Sequence, residues 1–208
     1  MIARVQAANL SNSLIKRYFM IILASKSPRR QELLERLGLT FRVMTEEIDE
    51  TMDPAIPLEQ EICRVSEGKA RAVAPRATVD DLIISADTVV CIDGRRLGKP
   101  SSEEDAKGML RLLSGRAHEV VSGVCLLQGT RCETQAITTK IHFRPLSERE
   151  ICAYVASGEP MDKAGSYGIQ GLASIFVDRL DGDYYNVMGL PLCALSQMLS
   201  RFGVEILK

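Results

Sequence analysis

The sequence has no tryptophan and only two histidines, His118 and His142. Two imidazoles rule out a multi-histidine metal site and weigh against a histidine-based nucleophilic triad. Five Tyr and five Phe make up the remaining aromatics, and the formal net charge is −1. With neither a stacking platform nor a global positive field, a nucleic-acid partner is disfavoured. Any phosphate must be held by a local cluster of positive groups. No apolar stretch is long enough to cross a bilayer, so no membrane partner is expected. The short apolar run Phe19 to Ala24 follows Arg4, Lys16 and Arg17 but lacks the small-residue cleavage site of a secretory signal. None of the six cysteines forms a CxxC pair, and most sit in apolar runs. Buried, reduced thiols in the cytoplasm are expected, not a disulfide framework or a zinc knuckle.

What is present suffices for a core. At 208 residues, 46% hydrophobic and 25% charged, the chain fits one domain, or one domain with two lobes around a central cleft. Ile21 to Ala24 reads as a strand, followed by Ser25-Lys26-Ser27-Pro28-Arg29-Arg30. Ser27 is a good N-cap, Pro28 a good first helical residue, and Gly38 a good stop. Phe41 to Thr45 reads as a second strand, then the acidic loop Glu46 to Glu50, then a helix over about Leu58 to Ala74. Leu82 to Ile92 is apolar on both faces, as a central covered strand should be. Capping boxes are expected at Ser101/Glu104 and Ser147/Glu150. A strand is expected at Val120 to Leu127. Alternation from Ile137 to Phe143 predicts a strand with one wet face. A glycine-rich loop over Gly165 to Gly171, a strand over Ser174 to Leu180 and a helix over Pro191 to Phe202 complete an α/β fold with a mixed sheet and flanking helices.

Four features carry chemistry. The strand–SKSPRR–helix junction presents unpaired N–H groups together with Ser25, Arg29 and Arg30, and guanidinium forks suit phosphate oxygens. Arginine is unfavourable at the positive end of a helix dipole unless an anion is there. Asp87, in the middle of an apolar strand, must be paired, metal-bound or at the strand's open end, because a lone buried carboxylate is costly. Thr88 adds a hydroxyl beside it. Glu50, Lys69 and Lys99 are scattered charges whose value depends on convergence. The run Asp162 to Gly171 combines three glycines with Gln170, a donor and acceptor in one side chain. It lacks the lysine spacing of a P-loop and the strand context of a dinucleotide fingerprint.

Together these segments resemble the Maf family: Leu23-Ala24-Ser25-Lys26-Ser27-Pro28-Arg29-Arg30, Ser85-Ala86-Asp87-Thr88, Gly98-Lys99-Pro100, Leu113-Ser114-Gly115, Tyr154-Val155-Ala156-Ser157-Gly158, Asp162 to Gly171, and Gly182 to Pro191. They occur in the family's order and cover nearly everything from residue 20 onward. The resemblance implies an elongated α/β fold similar to that of the inosine triphosphate pyrophosphatases, with two lobes around a deep cleft. It implies a single catalytic domain over 20–208, with 1–19 an N-terminal extension and Met20 the natural start. It implies hydrolysis of a nucleoside triphosphate between the α- and β-phosphates, assisted by a divalent cation; for Mg²⁺ or Mn²⁺, Glu50 and Asp87 are the candidate oxygen ligands on this chain. Asp87 matches the family's proton acceptor, and its roles as base and as ligand both stand. Glu50, Lys69 and Lys99 match its other charged active-site positions, while Arg30, Thr88 and Gln170 match positions linked to base choice.

The DKAGSYGIQG and GDYYNV segments look like the dTTP/UTP branch and unlike the 7-methyl-GTP branch, the nearest alternative. The family's associations also imply removal of modified nucleotides, a link to arrested septum formation (as an enzyme or a non-enzymatic inhibitor) and compatibility with a homodimer. One departure lies inside the matched region. Gly68 stands within the expected helix where the family usually has a larger residue, at about 1 kcal/mol of helix stability.

Overall fold

In the computed structural model, residues 5–6 and 18–207 are described. Most of the extension expected over 1–19 therefore lies outside the described residues. Within it, β1 (Val5–Gln6) pairs antiparallel with β2 (Tyr18–Phe19), and Phe19 is buried.

The apolar run that follows forms β3 (Ile21–Leu23), buried along its whole length. Such a strand needs neighbours on both edges, and it has them. It pairs in parallel with β4 (Phe41–Val43) on one side and with β5 (Leu82–Ile92) on the other. β5 is also the long covered strand that its β-branched run predicts. β6 (Arg95–Leu97) folds back antiparallel onto β5. β7 (Ala117–Gln128), β8 (Arg131–Phe143) and β9 (Val177–Asp181) complete a seven-stranded mixed sheet in the order β4-β3-β5-β7-β8-β9, with β6 on β5. Along β8, Thr139, Ile141 and Phe143 are buried while Thr138 and Lys140 are exposed, so the wet face is real.

Helices follow their caps. α1 (Pro28–Arg36) begins at Pro28 and closes with Gly38 N donating to Glu35 O. α2 (Leu58–Val73) buries Ile62, Val65, Ser66, Ala70 and Val73. Its seating is tight: a Cβ on Gly123 of β7 would lie 2.4 Å from Ile62 O. Ser66 Oγ bonds Ile62 O at 2.7 Å and Gly123 O at 2.9 Å, anchoring the helix at that crossing. α3 (Glu103–Leu113) starts one residue later than the Ser101/Glu104 box predicts. Ser102 Oγ accepts from Asp105 N, and the short Asp105 side chain turns back to accept from Ser101 N and Oγ. The Ser147/Glu150 box forms as expected at α4 (Glu148–Ala156). α5 (Tyr184–Val187) is a single turn capped by Asp183, and α6 (Leu192–Arg201) is the amphipathic helix that the sequence predicts. The strand expected at Ser174 begins only at Val177. Residues Leu172–Phe176 wind instead into a 3₁₀ turn after Gly171.

All six cysteines are free, but only Cys125 is fully buried. Cys152 and Cys193 are exposed because each falls off its helix's buried stripe, Ile151/Tyr154/Val155 in α4 and Leu192/Leu195/Met198/Leu199 in α6. No described helix is long and apolar enough to cross a membrane.

The chain divides into two compact units. The first comprises residues up to Asp87, Gly123–Ile137 and the segment from Gly189; the second comprises Thr88–Ser122 and Thr138–Met188. The first unit's core joins Ile22 and Ala24 of the β3 region, Ala70 and Val73 of α2, Ile83 of β5, and Cys125 and Leu127 of β7. In the second, His118, Phe143 and Tyr167 stack edge to face, with His118 Nε2 2.8 Å from Tyr167 OH.

Candidate active site

In the first unit, charged side chains gather where β3 and β4 end and the parallel pairing of β5 with β3 stops, although β5 itself runs on. The last paired residues are Leu23, Val43 and Ile84, and Ala24 N still reaches Ile84 O. Ser25, the acidic loop and Asp87 come just after. This carboxyl edge is where open α/β sheets gather ligands.

Lys69 occupies a helical position one or two turns along from Ile62, Val65 and Ser66, on the edge of the buried stripe of α2. A cation there needs partners, and it has two. Its Nζ lies 2.7 Å from Asp87 Oδ1 and 3.0 Å from Glu50 Oε1. The side chains of Lys69 and Asp87 are each only 14% exposed, so water screens their attraction weakly, whereas Glu50 is 56% exposed. Gly68 now has a packing explanation. A Cβ at this position would stand 3.3 Å from Ile48 Cδ1, so the missing side chain lets the acidic loop lie close to α2, two residues before Glu50.

Arg30 is held from two directions. Its Nε donates to Gly189 O at 2.7 Å and its Nη1 to Ser25 Oγ at 3.1 Å. Ser25 Oγ also accepts from Ser27 N, so the hydroxyl organises both the turn and the guanidinium. Burial pulls the Arg30 pKa below its ordinary value. Asp87 and Glu50 oppose that shift by attraction, and Arg29 adds to it by repulsion. Asp87, Glu50, Lys69, Ser25, Arg29 and Arg30 are thus brought together. Ser27 fills the N-cap position of α1 without a side-chain cap bond.

Thr88, Lys99 and Gln170 belong to the second unit. Thr88 Oγ1 lies 2.9 Å from Ser122 Oγ, which itself reaches Asn186 O. Asn186, fully buried, donates to Val120 O and Thr139 Oγ1. Lys99 is exposed in the turn before buried Pro100, and the preceding Gly98 O accepts from Gly165 N. Gln170 is exposed on the glycine-rich loop.

Sequence reasoning gave no role to Gly189, Ser122 or Ile48. Gly189 acts through a carbonyl, which no side-chain signal announces. Ser122 and Ile48 act through contacts with residues far away in the chain. The stretch Gly182 to Pro191, noted only as a motif, was the available clue.

Glu50 and Asp87 supply carboxylate oxygens, the donor type that a hard cation takes. Two carboxylates converge on one positive centre, and Mg²⁺ characteristically uses one or two protein carboxylates with water and substrate phosphates. Among the described residues no cluster of three or more acidic, cysteine or histidine side chains is poised for a metal.

The model of the family described as Maf-like protein matches residues 20–202. A protein of Syntrophomonas wolfei named dTTP/UTP pyrophosphatase is 47% identical over 188 residues, covering 89% of this chain and 99% of that protein. One of the same name from Pelotomaculum thermopropionicum is 47% identical over 189 residues, covering 90% and 98%. The solved structure of a HAM1 protein from Coxiella burnetii superposes with a TM-score of 0.50 at 14% identity, over 88% of this chain and 99% of that one, which bears out the mixed α/β fold.

Proposed function

The chain belongs to the Maf-like protein family, and from that membership and the site's geometry we propose that it hydrolyses dTTP and UTP to the nucleoside monophosphate and pyrophosphate. Relatives that carry this activity in their names share 47% of their residues with it across nearly their whole length. The observation that carries the reading is the convergence of Asp87 and Glu50 on Lys69, beside Arg30, just past the last parallel pairs of β3, β4 and β5.

Pyrophosphate leaves readily once its charge is neutralised, so the protein must chiefly position and screen. Ser25 and Gly189 fix the Arg30 fork, and Arg29 follows Pro28 on the first turn of α1. These two arginines, with Lys69 and Lys99, bind the triphosphate. Asp87 takes the proton from a water whose oxygen attacks the α-phosphorus in line with the bond to the β-phosphate. The Pα–O bond breaks and pyrophosphate departs. Glu50 and Asp87 would hold Mg²⁺ or Mn²⁺, which supplies charge neutralisation on the phosphate oxygens. Gln170 reads the N3–H and O4 edge of thymine or uracil, offering an acceptor and a donor that cytosine does not match in the same order. The setting is the cytoplasm, where the substrates are.

The test is a panel of nucleoside triphosphates with pyrophosphate detection. dTTP and UTP should lead. Preference for 7-methyl-GTP would move the chain to another branch, and no pyrophosphate from any member would overturn the reading.

A further inference from the structure

Gln170 is exposed, yet to read a base its backbone must be held still, because a loop that drifts by an ångström loses hydrogen-bond geometry. Glycines stand two residues before it and directly after it, at Gly168 and Gly171, and glycine confers freedom, not rigidity. The restraint comes from elsewhere. Tyr154 and Glu159 lie at and just after the end of α4 and form a pair: Tyr154 OH donates to Glu159 Oε1 at 2.9 Å. Each partner then takes one shoulder of the loop. Gly168 N, two residues before Gln170, donates to Tyr154 OH at 3.3 Å. Leu172 N, two residues after it, donates to Glu159 Oε2 at 2.9 Å.

The fit is close on the carboxylate side. A Cβ on Gly171 would lie 2.2 Å from Glu159 Oε1 and 2.5 Å from Oε2, so only glycine lets the loop approach the carboxylate. Tyr154 is buried and braced edge to face on Phe176, with ring centroids 5.2 Å apart, which holds the phenol still. Burial, reinforced by the Glu159 charge, pushes the Tyr154 pKa upward, so the hydroxyl keeps its proton and remains a donor to the carboxylate. Lys163 locks the start of the loop, donating through Nζ to Glu159 O and to Asp162 Oδ1, each at 2.6 Å.

We infer that Tyr154 and Glu159 are positioning residues for substrate choice: the pair clamps the backbone on both sides of Gln170 and thereby sets how sharply the enzyme separates uracil and thymine from cytosine. The inference rests on the reading of Gln170 as the base-contacting residue. It assigns neither Tyr154 nor Glu159 any contact with the substrate.

The test compares kcat/KM for UTP and CTP in Tyr154→Phe, Glu159→Gln and Gln170→Ala, singly and combined. Tyr154→Phe keeps the ring packing and removes the hydroxyl. Glu159→Gln keeps the size but replaces one acceptor oxygen with an NH₂ group. Each clamp variant should lower the UTP:CTP ratio by about three- to tenfold, as expected for the net loss of about one hydrogen bond. The change should fall mainly on KM for UTP, with kcat within about twofold because the phosphate-side groups are untouched. In the Gln170→Ala background the same substitutions should leave the ratio unchanged. An effect that persists there, or a fall in kcat alike for both nucleotides, would show a merely structural role and overturn the inference. If Gln170→Ala leaves the ratio intact, the base-reading assignment itself fails, and the clamp with it. If Gln170→Ala lowers the ratio and neither clamp variant does, only the clamp fails. Thermal melts accompany each variant, and Tyr154→Phe is the decisive one should Glu159→Gln melt early.

Discussion

Lys69 Nζ stands 2.7 Å from Asp87 Oδ1 in a setting where both side chains are 14% exposed. The two residues are 18 apart in sequence, one on a helix and one on a strand. Their meeting gives an ammonium partner to a carboxylate that would be costly alone in the middle of an apolar strand, and that carboxylate also attracts the Arg30 guanidinium. The pair makes Asp87 tolerable to the fold, and in the proposed mechanism the same carboxylate is the proton acceptor.

Asp87→Asn should abolish dTTP hydrolysis while the fold survives, because an amide cannot take the proton and Lys69 retains Glu50. Lys69→Met should be the less stable variant, by about 1–3 kcal/mol, since it leaves Asp87 without its ammonium partner. Urea unfolding of both variants checks the order, and pyrophosphate release checks the activity.

Gln170→Ala should reduce discrimination between UTP and CTP more than it slows turnover. Steady-state kinetics on the two nucleotides decide it. Equal losses on both would argue against base reading by this side chain.

Removal of divalent cations by chelation should stop turnover, and added Mg²⁺ or Mn²⁺ should restore it. Glu50→Gln should raise the cation concentration required for half-maximal rate. An unchanged requirement in that variant would remove Glu50 from the proposed ligand set.

Gly123→Ala should destabilise the first unit by about 1–3 kcal/mol, because the new methyl would meet the backbone carbonyl of Ile62, which cannot rotate aside. Gly68→Ala meets only the end of the Ile48 side chain. It gains helix propensity and should be close to neutral in stability. Denaturant melts of the two variants give the comparison.

His118 supplies a pH dependence. Burial, helped slightly by His142, lowers its pKa from 6.5 to about 4. Between those values the unfolded chain binds a proton that the folded chain refuses, so stability falls as pH drops from about 6.5 toward 4 and is fully retained above 6.5. The loss is on the order of 3 kcal/mol at the acid end. An NMR titration of the imidazole should show a midpoint near 4, and a midpoint near 6.5 would contradict the assignment.

Local rules made much of the fold legible. The run Leu82 to Ile92, the Ser147/Glu150 box and the alternation through Phe143 all act within a few residues, and all appear as the sequence predicts. The Ser101/Glu104 box failed because two serines compete for one cap and Asp105 favours the second. The strand expected from Ser174 gave way to a 3₁₀ turn, a choice set by the loop that precedes it. For the site, residue types pointed to Asp87 and Arg30, but partners did not. That Gly189 offers its carbonyl to Arg30, 159 residues away, is a tertiary fact with no local signature. Nor could a glycine in the middle of α2 announce that Ile48 would rest against it.

Hydrolysis in ¹⁸O-labelled water tests the central claim most directly, since attack at the α-phosphorus must leave the new oxygen on the monophosphate. With dTTP as substrate, mass spectrometry should find the label in dTMP and none in pyrophosphate. Label in the pyrophosphate, or release of dTDP with inorganic phosphate, would contradict the account.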